Sequence, residues 1–351
     1  MENLQSLLSV AIERHASDLH VISGYYPNIR INNELCPLKL SSPSTDEDTK
    51  QMLFSILEDE QKQALLENKE IDFGYEFNES RFRVNLYYTK NKLAGAFRLI
   101  PKTIKTVEEL NLPSIIHNFI NYKEGFVLLT GPTGEGKSTT LASVINEINL
   151  KQSKHIITIE DPIEFTYPAG KSIISQRELH LDTLSWNVAL RSVLREDPDI
   201  VLIGEMRDYE TMQAAITIAE TGHLVFSTLH TSTTSDAIDR IIDVFPANQQ
   251  NQVRNQLASV LKAVASIRLV PNLDGTSRLP ALEILMNTQS VSSIIREGKT
   301  FMLDNVLETE EKMNMILFEK YLLKMYQNGE ITKDTALNYA IRPDEIRKFI
   351  Q

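Results

Sequence analysis

Residues 126–148 read FVLLTGPTGEGKSTTLASVINEI. An apolar run ends at Thr130, a glycine-rich loop follows, and a helical pattern begins after it. The loop matches the full pattern G-x-x-x-x-G-K-[ST] between a strand and a helix, which is the context that its mechanism requires. Backbone N–H groups of such a loop and the positive end of the next helix bind phosphate. The sequence therefore predicts a nucleoside triphosphate site.

Two residues of this loop have specific predicted roles. Lys137 should contact the β- and γ-phosphates, and Ser138 should ligate Mg²⁺. The loop as a whole supplies the nucleotide-binding candidates, which are Gly131, Pro132, Thr133, Gly134, Glu135, Gly136, Lys137, Ser138 and Thr139.

The composition is that of a globular protein with an acidic balance. The chain has 351 residues, a net charge of −11 and 42% hydrophobic residues. This length suits two domains, and the acidic charge argues against nucleic acid as a partner. The single cysteine, Cys36, excludes an internal disulfide and a cysteine-based zinc site. Without a basic signal-peptide region or an apolar run of about 18 residues, we expect a cytoplasmic protein.

The N-terminal part of the chain alternates short strand-like runs with one helical insert at 46–68, which predicts a small α+β domain. A linker bracketed by prolines follows. The rest reads as buried strands that alternate with helices and then as a helical cap, with helices expected at 248–269, 313–326 and 333–339. We divide the chain into residues 1–100, a linker at 101–113 and a second domain at 114–351.

Four continuous apolar runs of the second domain are typical of parallel strands that are covered on both faces: FVLLTG, HIITIED, IVLIGE and LVFSTLH. Each run ends in polar residues or glycine. Because ligands bind at the carboxyl ends of strands in open α/β sheets, these clusters should converge on one edge.

Carboxylates follow two of these strands. Glu205 follows IVLI, with Gly204 where many P-loop enzymes carry an aspartate, so Glu205 should reach Mg²⁺ through water. The alternative is a strand-end glutamate in solvent. The run TIEDPIEF contains Glu160, Asp161 and Glu164. Glu164 is the predicted base that orients the attacking water. Glu160 and Asp161 are predicted to support this base or to contact metal-bound water, and a role in helix capping or in the turn is the alternative, above all for Asp161.

Two histidines flank the run LVFSTL. With a rise of about 3.3 Å per residue, His223 and His230 lie roughly 20 Å apart and cannot share a metal ion within one subunit. His230 should lie at the catalytic edge, where it can donate to the γ-phosphate. His223 should lie at the opposite end, as a structural or inter-subunit residue. An ordinary core or surface histidine is the alternative for both.

An arginine-rich hairpin is predicted at RFRVNLYYTKNKLAGAFRLI. A turn at Lys90 and Asn91 places Arg83 opposite Arg98, with Arg81 on the same face. Opposed like charges are unfavourable, so these guanidinium groups should project into solvent, pair with acids or meet an anionic ligand. The last alternative makes them arginine fingers for a γ-phosphate, supplied most readily across a subunit boundary.

Four segments together resemble one ATPase family. The stretches GPTGEGKSTT, TIEDPIEF, QRELHLDTLSWNVALRSVLREDPDIVLIGEMRD and TGHLVFSTLHTSTTSDAIDRIIDVFP are similar to the Walker A motif, Asp box, Walker B motif and His box of secretion-superfamily ATPases. The chain most closely resembles the type IV pilus retraction ATPase (PilT) family, along nearly its whole length.

This resemblance implies an α/β fold with an N-terminal PAS-like domain and a C-terminal RecA-like P-loop domain with a helical cap. It implies a homohexameric ring that binds ATP and Mg²⁺, with Glu164 as catalytic glutamate, Glu205 as Walker B acid, and Arg83 and Arg98 as inter-subunit arginines. The implied function is ATP-driven pilus retraction and twitching motility. The implied partner is the inner-membrane platform protein, with a paired assembly ATPase as a further candidate, and the implied location is the inner face of the cytoplasmic membrane.

Two positions depart from the family pattern. Glu135 stands where the family usually carries a small serine and adds negative charge near the phosphates. The family element AIRNLIREGK reads VSSIIREGK at 291–299. The alternatives are therefore an assembly or secretion ATPase, or a nucleotide-dependent scaffold ring with little turnover. Assembly and secretion relatives typically have an extra N-terminal domain and a four-cysteine zinc motif, which this sequence lacks.

Overall fold

The computed structural model describes residues 3–31, 34–39, 42–100, 103–310 and 314–349. It divides into two compact units. The first runs to Thr103 and also includes residues 161–166, and the second comprises the remaining residues from Ile104 onward. Of the predicted linker, residues 101–102 lie outside the described residues, and Ile104 to Pro113 belong to the second unit.

The first unit is an antiparallel sheet with three helices. Its elements are α1 (Leu4–Glu13), β1 (Asp18–Ile22), β2 (Asn28–Ile31), β3 (Glu34–Pro37), α2 (Asp46–Phe54), α3 (Asp59–Asn68), β4 (Glu70–Phe77), β5 (Ser80–Thr89) and β6 (Lys92–Ile100). The sheet order is β3-β2-β1-β6-β5-β4. The predicted helical insert is two helices, because a capping box between Glu58 and Gln61 begins a new helix.

The register of the predicted hairpin is confirmed. Arg83 pairs with Arg98 across β5 and β6. Lys90 and Asn91 both have positive φ, as the two central residues of a type I′ turn require. Leu86, Phe82 and Phe97 are fully buried in the core of this unit, so alternate residues, including the arginines, face the other way.

The second unit is built on a sheet of seven strands. Its elements are β7 (Gly125–Thr130), α4 (Lys137–Lys151), β8 (His155–Glu160), β9 (Ile173–Glu178), α5 (Trp186–Val193), β10 (Ile200–Ile203), α6 (Tyr209–Glu220), β11 (Leu224–Leu229), α7 (Thr234–Asp243), α8 (Gln250–Val260), β12 (Leu261–Pro271), β13 (Arg278–Met286), α9 (Gln289–Glu297), α10 (Leu303–Thr309), α11 (Phe318–Gln327), α12 (Lys333–Tyr339) and α13 (Pro343–Arg347). Short 3₁₀ helices lie at Ser114–Asn121 and Thr300–Met302.

The sheet order is β13-β12-β7-β11-β10-β8-β9, and every neighbouring pair is parallel except β12 with β13. All residues of β7 and β11 are buried, which explains their continuous apolar sequences. The four predicted parallel strands and the α/β fold class are confirmed. Among the described residues, no helix is both long enough and apolar enough to cross a bilayer.

The helix predicted over 248–269 is wrong in its second half, where the chain forms β12. Ala263, Ala265 and Ile267 pack into one core cluster, and Val264 between them packs into another. This period of two places successive side chains on opposite faces of a sheet. The helix at 333–339 is confirmed, whereas the one predicted from Met313 begins at Phe318, and Met313 lies outside the described residues.

Candidate nucleotide site

The glycine-rich loop connects β7 to α4 and approaches β12 closely. A Cβ atom added to Gly131 would lie 2.3 Å from the carbonyl oxygen of Ile267, and Gly131 has a φ of +143°. Only glycine fits this position. Helix α4 follows Gly136 at its N-cap, where no side chain caps the helix. The amino terminus of α4, the positive end of the helix dipole, therefore directly follows the loop, which fits the predicted phosphate site.

Lys137 is the first residue of α4 and is only 8% exposed. Its ammonium group donates hydrogen bonds to the carbonyl oxygens of Gly131 at 2.6 Å and Pro132 at 2.9 Å. The loop thus holds the charge of Lys137 against its own backbone, next to the uncapped helix terminus.

The ends of β10 and β11 bring two predicted residues to this loop. His230 follows β11 directly, and its Nδ1 atom lies 3.3 Å from the hydroxyl of Thr133 in the loop. Its Nε2 atom lies 3.1 Å from a carboxylate oxygen of Glu205. Arg207 forms an ion pair with the other oxygen of Glu205. The structure therefore assembles the loop, Glu205 and His230 at one sheet edge, as the convergence argument predicted.

Arg207 was not among the predicted site residues. It lies two positions after Glu205 in the run GEMRD, and this spacing is the only sequence signal. Gly204, just before Glu205, has little room for a side chain: an added Cβ would lie 3.3 Å from the carbonyl oxygen of Ile159. The hydroxyl of Thr228 donates a 2.7 Å hydrogen bond to the Gly204 carbonyl and fixes this turn.

The acids of the Asp box are divided between the two units. Glu160 ends β8 in the second unit and accepts hydrogen bonds from Thr158 at 2.7 Å and Gln176 at 3.2 Å. Burial, with a smaller contribution from the Glu160 charge, raises the pKa of Tyr167 well above its ordinary value. Asp161 and Glu164 belong to the first unit.

Glu164, the predicted base, lies beside a predicted arginine of its own unit. Its carboxylate is 3.7 Å from the guanidinium of Arg83, which also forms a 2.6 Å ion pair with Asp72. Burial disfavours the Arg83 charge, yet the hydrogen bonds and charge of Asp72, together with Glu164 and Asp161, leave the pKa of Arg83 raised.

The other two arginines of the hairpin also meet acids. Arg81 pairs with Glu76 at 2.9 Å, and Arg98 pairs with Asp18 at 3.1 Å. Within one chain, acid pairing is thus how the fold relieves the opposed positive charges. The predicted action of Arg81, Arg83 and Arg98 on a neighbour's nucleotide remains a prediction.

His223 lies at the amino end of β11, away from the loop. Its Nδ1 atom is 3.0 Å from the Thr221 hydroxyl and 3.2 Å from the Ile218 carbonyl oxygen. Its carbonyl accepts a hydrogen bond from Gly125 at the start of β7. Strand direction therefore separates His223 from His230, as the sequence predicted. An inter-subunit role remains a prediction.

A family model described as "Type II/IV secretion system protein" matches residues 1–341. The chain is 44% identical over 335 residues to a "Twitching motility protein" of Neisseria gonorrhoeae, which covers 95% of this chain and 89% of that relative. It is 40% identical over 344 residues to the "Type IV pilus retractation ATPase PilT" of Pseudomonas aeruginosa, which covers 97% of this chain and 99% of the relative.

The crystal structure of the pilus retraction motor PilT with bound ADP has a similar fold. Its TM-score is 0.91 at 41% identity, and the match covers 99% of this chain and 100% of that structure. The resemblance to the pilus retraction ATPases that the four sequence motifs indicated is confirmed by these similarities. The chain therefore belongs to the Type II/IV secretion system protein family.

Proposed function

We propose that this protein is the ATP-hydrolysing motor that drives type IV pilus retraction. The observation that supports this most directly is the convergence of the Lys137 loop, Glu205 and His230 at the carboxyl edge of one parallel sheet. The relatives named for retraction and twitching motility match over nearly their full lengths. As partners we propose five further copies in a ring, the platform protein of the inner membrane and a paired assembly ATPase. We propose a location at the inner face of that membrane.

In the proposed mechanism, the protein binds ATP and positions it for attack by water. The loop N–H groups and the start of α4 hold the phosphates, and the Lys137 ammonium moves from its backbone acceptors to the β- and γ-oxygens. Glu164 orients the water and accepts its proton. His230, held by Glu205, donates to the γ-phosphate. Arginines of a neighbouring subunit, Arg81, Arg83 and Arg98, neutralise developing charge.

Mg²⁺ fits the oxygen donors of this edge. The described residues contain no cluster of three or more His, Cys, Asp or Glu side chains that could hold a metal ion unaided. Proteins usually bind Mg²⁺ with few side chains and share it with waters and phosphate oxygens. Ser138 would hold the ion directly and Glu205 through water, and the bound ion would neutralise charge on the β- and γ-phosphates.

Phosphate release by purified protein tests this proposal. Lys137→Ala should abolish turnover and weaken ATP binding, because the loop loses its only side-chain ammonium. Glu164→Gln should abolish turnover and preserve binding, since it removes the base alone. Lys151→Ala, which changes an exposed lysine at the other end of the same helix, is the control and should keep wild-type activity.

Gene deletion then separates retraction from the alternatives. Deletion should leave cells with pili that no longer retract. Loss of the pili themselves would indicate an assembly ATPase instead. Wild-type protein that binds ATP without releasing phosphate would indicate a scaffold ring.

A further inference from the structure

The strand next to the nucleotide loop has backbone groups that β7 does not satisfy. In β12, the carbonyl of Ile267 points at Gly131, on the side of β7 and away from β13. By the alternation of an antiparallel ladder, Leu269 directs its N–H to the same side. Its partner in β13 is Pro280, which cannot donate a hydrogen bond. The pairing of β7 with β12 ends at Thr130 and Ser266, so the Leu269 N–H extends beyond β7.

Glu135 satisfies this N–H group. Its carboxylate accepts a hydrogen bond from the backbone of Leu269. The same part of the loop touches β12 again at Gly136, where an added Cβ would lie 3.9 Å from the Leu269 side chain. The loop therefore contacts β12 at its first glycine, at Glu135 and at its last glycine.

This contact changes the expected effect of the unusual acid in the loop. A free carboxylate there would repel the phosphates of a nucleotide. A carboxylate bound to a backbone N–H is held towards β12 and restricts the loop instead. We propose that Glu135 is a positioning residue that fixes the nucleotide loop to β12 in its binding conformation. This inference rests on the proposed binding of nucleotide by the loop.

Two substitutions distinguish the effect of the hydrogen bond between Glu135 and the Leu269 N–H, here called the tether, from the effect of the negative charge of Glu135. Glu135→Gln keeps an oxygen acceptor and removes the charge, whereas Glu135→Ala removes both. If the tether matters, the glutamine variant retains the wild-type Kd for ADP within about twofold. The alanine variant raises the Kd and the KM for ATP about five- to tenfold, as expected for one hydrogen bond, with kcat nearly unchanged. Displacement of a fluorescent ADP analogue and phosphate release provide these values.

The donor side gives an independent test. Leu269→Pro removes the N–H, and β12 already contains Pro271 at the same phase of the ladder. Leu269→Ala keeps the N–H and controls for the lost side chain. The proline variant should raise the Kd as Glu135→Ala does. The double variant Glu135→Ala/Leu269→Pro should raise the Kd no further, since both substitutions remove the same hydrogen bond.

Three outcomes would overturn the tether. They are equal tightening of binding in Glu135→Gln and Glu135→Ala, an unchanged Kd in both, and additive losses in the double variant. Thermal unfolding checks that each variant folds, and the two Glu135 variants decide the question alone if the proline variant does not fold. Failure of wild-type protein to bind any nucleotide would contradict the proposed function instead.

Discussion

His230 connects the nucleotide loop to the acid of the neighbouring strand. One ring nitrogen lies 3.3 Å from the Thr133 hydroxyl, and the other lies 3.1 Å from Glu205. A carboxylate that accepts from one ring nitrogen fixes the ring orientation and leaves the other nitrogen for the substrate side. His230 is thus placed to respond to whatever occupies the loop.

We expect His230→Ala to lower kcat about 100-fold, the usual contribution of a positioned proton donor, and to change the KM for ATP little. His155→Gln is the control, because His155 is the first residue of β8 and lies at the amino ends of the parallel strands, opposite the ends that carry the nucleotide site. Steady-state phosphate release measures both. A loss confined to KM would show that His230 binds substrate without acting on the reaction.

The sequence positions of a few residues were enough to predict which side chains meet at the nucleotide site. Lys137, Glu205 and His230 each follow a buried apolar strand, so strand direction alone placed them together. Arg207 could not be predicted in this way, because its contact with Glu205 depends on the turn that Gly204 permits. The hydrogen bond of Glu135 could not be predicted either, since its partner is the backbone N–H of a residue 134 positions away in the sequence.

At the scale of secondary structure, β13 connects the His230 region to the C-terminal helices. Glu283 lies within β13, fully buried, and accepts 2.8 Å hydrogen bonds from both the N–H and the hydroxyl of Thr234, the first residue of α7. Helix α7 begins four residues after His230. Burial raises the pKa of Glu283, and the nearby Glu319 adds to this, while the Thr234 bonds and Arg342 act in the opposite direction.

The raised pKa predicts a pH-dependent contribution of Glu283 to stability. Because the folded protein favours the protonated carboxyl, this stabilisation is complete below the ordinary carboxyl pKa. It is lost as the pH rises through the raised value. Glu283→Gln should flatten the free energy of unfolding across that pH range, as urea denaturation at several pH values would measure.

Glu60→Gln, which removes an exposed carboxylate from α3, is the control for losing one acid. An unchanged pH slope in Glu283→Gln would contradict the prediction.

Strands were predicted correctly from the sequence where a continuous apolar run marked them. The parallel strands were predicted because burial on both faces makes them continuously apolar. Strand β9, with the sequence IISQRE, is polar because it forms the sheet edge, and it was missed. Strand β12 was mistaken for helix because its alanines and leucines favour helices, whereas pairing with β7 and β13 determines its conformation.

At the scale of the whole molecule, the arginine hairpin has two kinds of partner to consider, in its own chain and in a neighbouring subunit. Within one chain, Arg83 contacts Asp72 and Glu164. Loss of activity in Arg83→Ala could therefore arise through Glu164 of the same chain or through the nucleotide of a neighbour. Only mixed rings separate these two effects.

We expect Arg83→Ala to abolish turnover and leave nucleotide binding nearly intact. Rings that mix Arg83→Ala with Lys137→Ala subunits should regain part of the activity, because some interfaces then pair an intact loop with an intact arginine. Mixtures of His230→Ala and Lys137→Ala should regain none, since both residues serve one site in the same chain. Phosphate release from co-refolded mixtures measures this, and no recovery in the first mixture would exclude action between subunits.

The sequence pattern predicted a change of domain at residues 100–113, but it did not reveal that residues 161–166 belong to the first unit. Two buried residues in that segment, Pro162 and Ile163, are too few to form a recognisable pattern.

Because residues 161–166 belong to the first unit while the residues on either side of them belong to the second, domains of such proteins cannot be exchanged freely. A chimaera made by a single crossover near Thr103 would combine the first unit of one parent with six residues that had adapted to the first unit of the other. Glu164 would be among them, next to a foreign arginine hairpin. Exchange of the N-terminal unit between family members therefore requires two grafts, and lineages that shuffle it as one block should show compensating changes at 161–166.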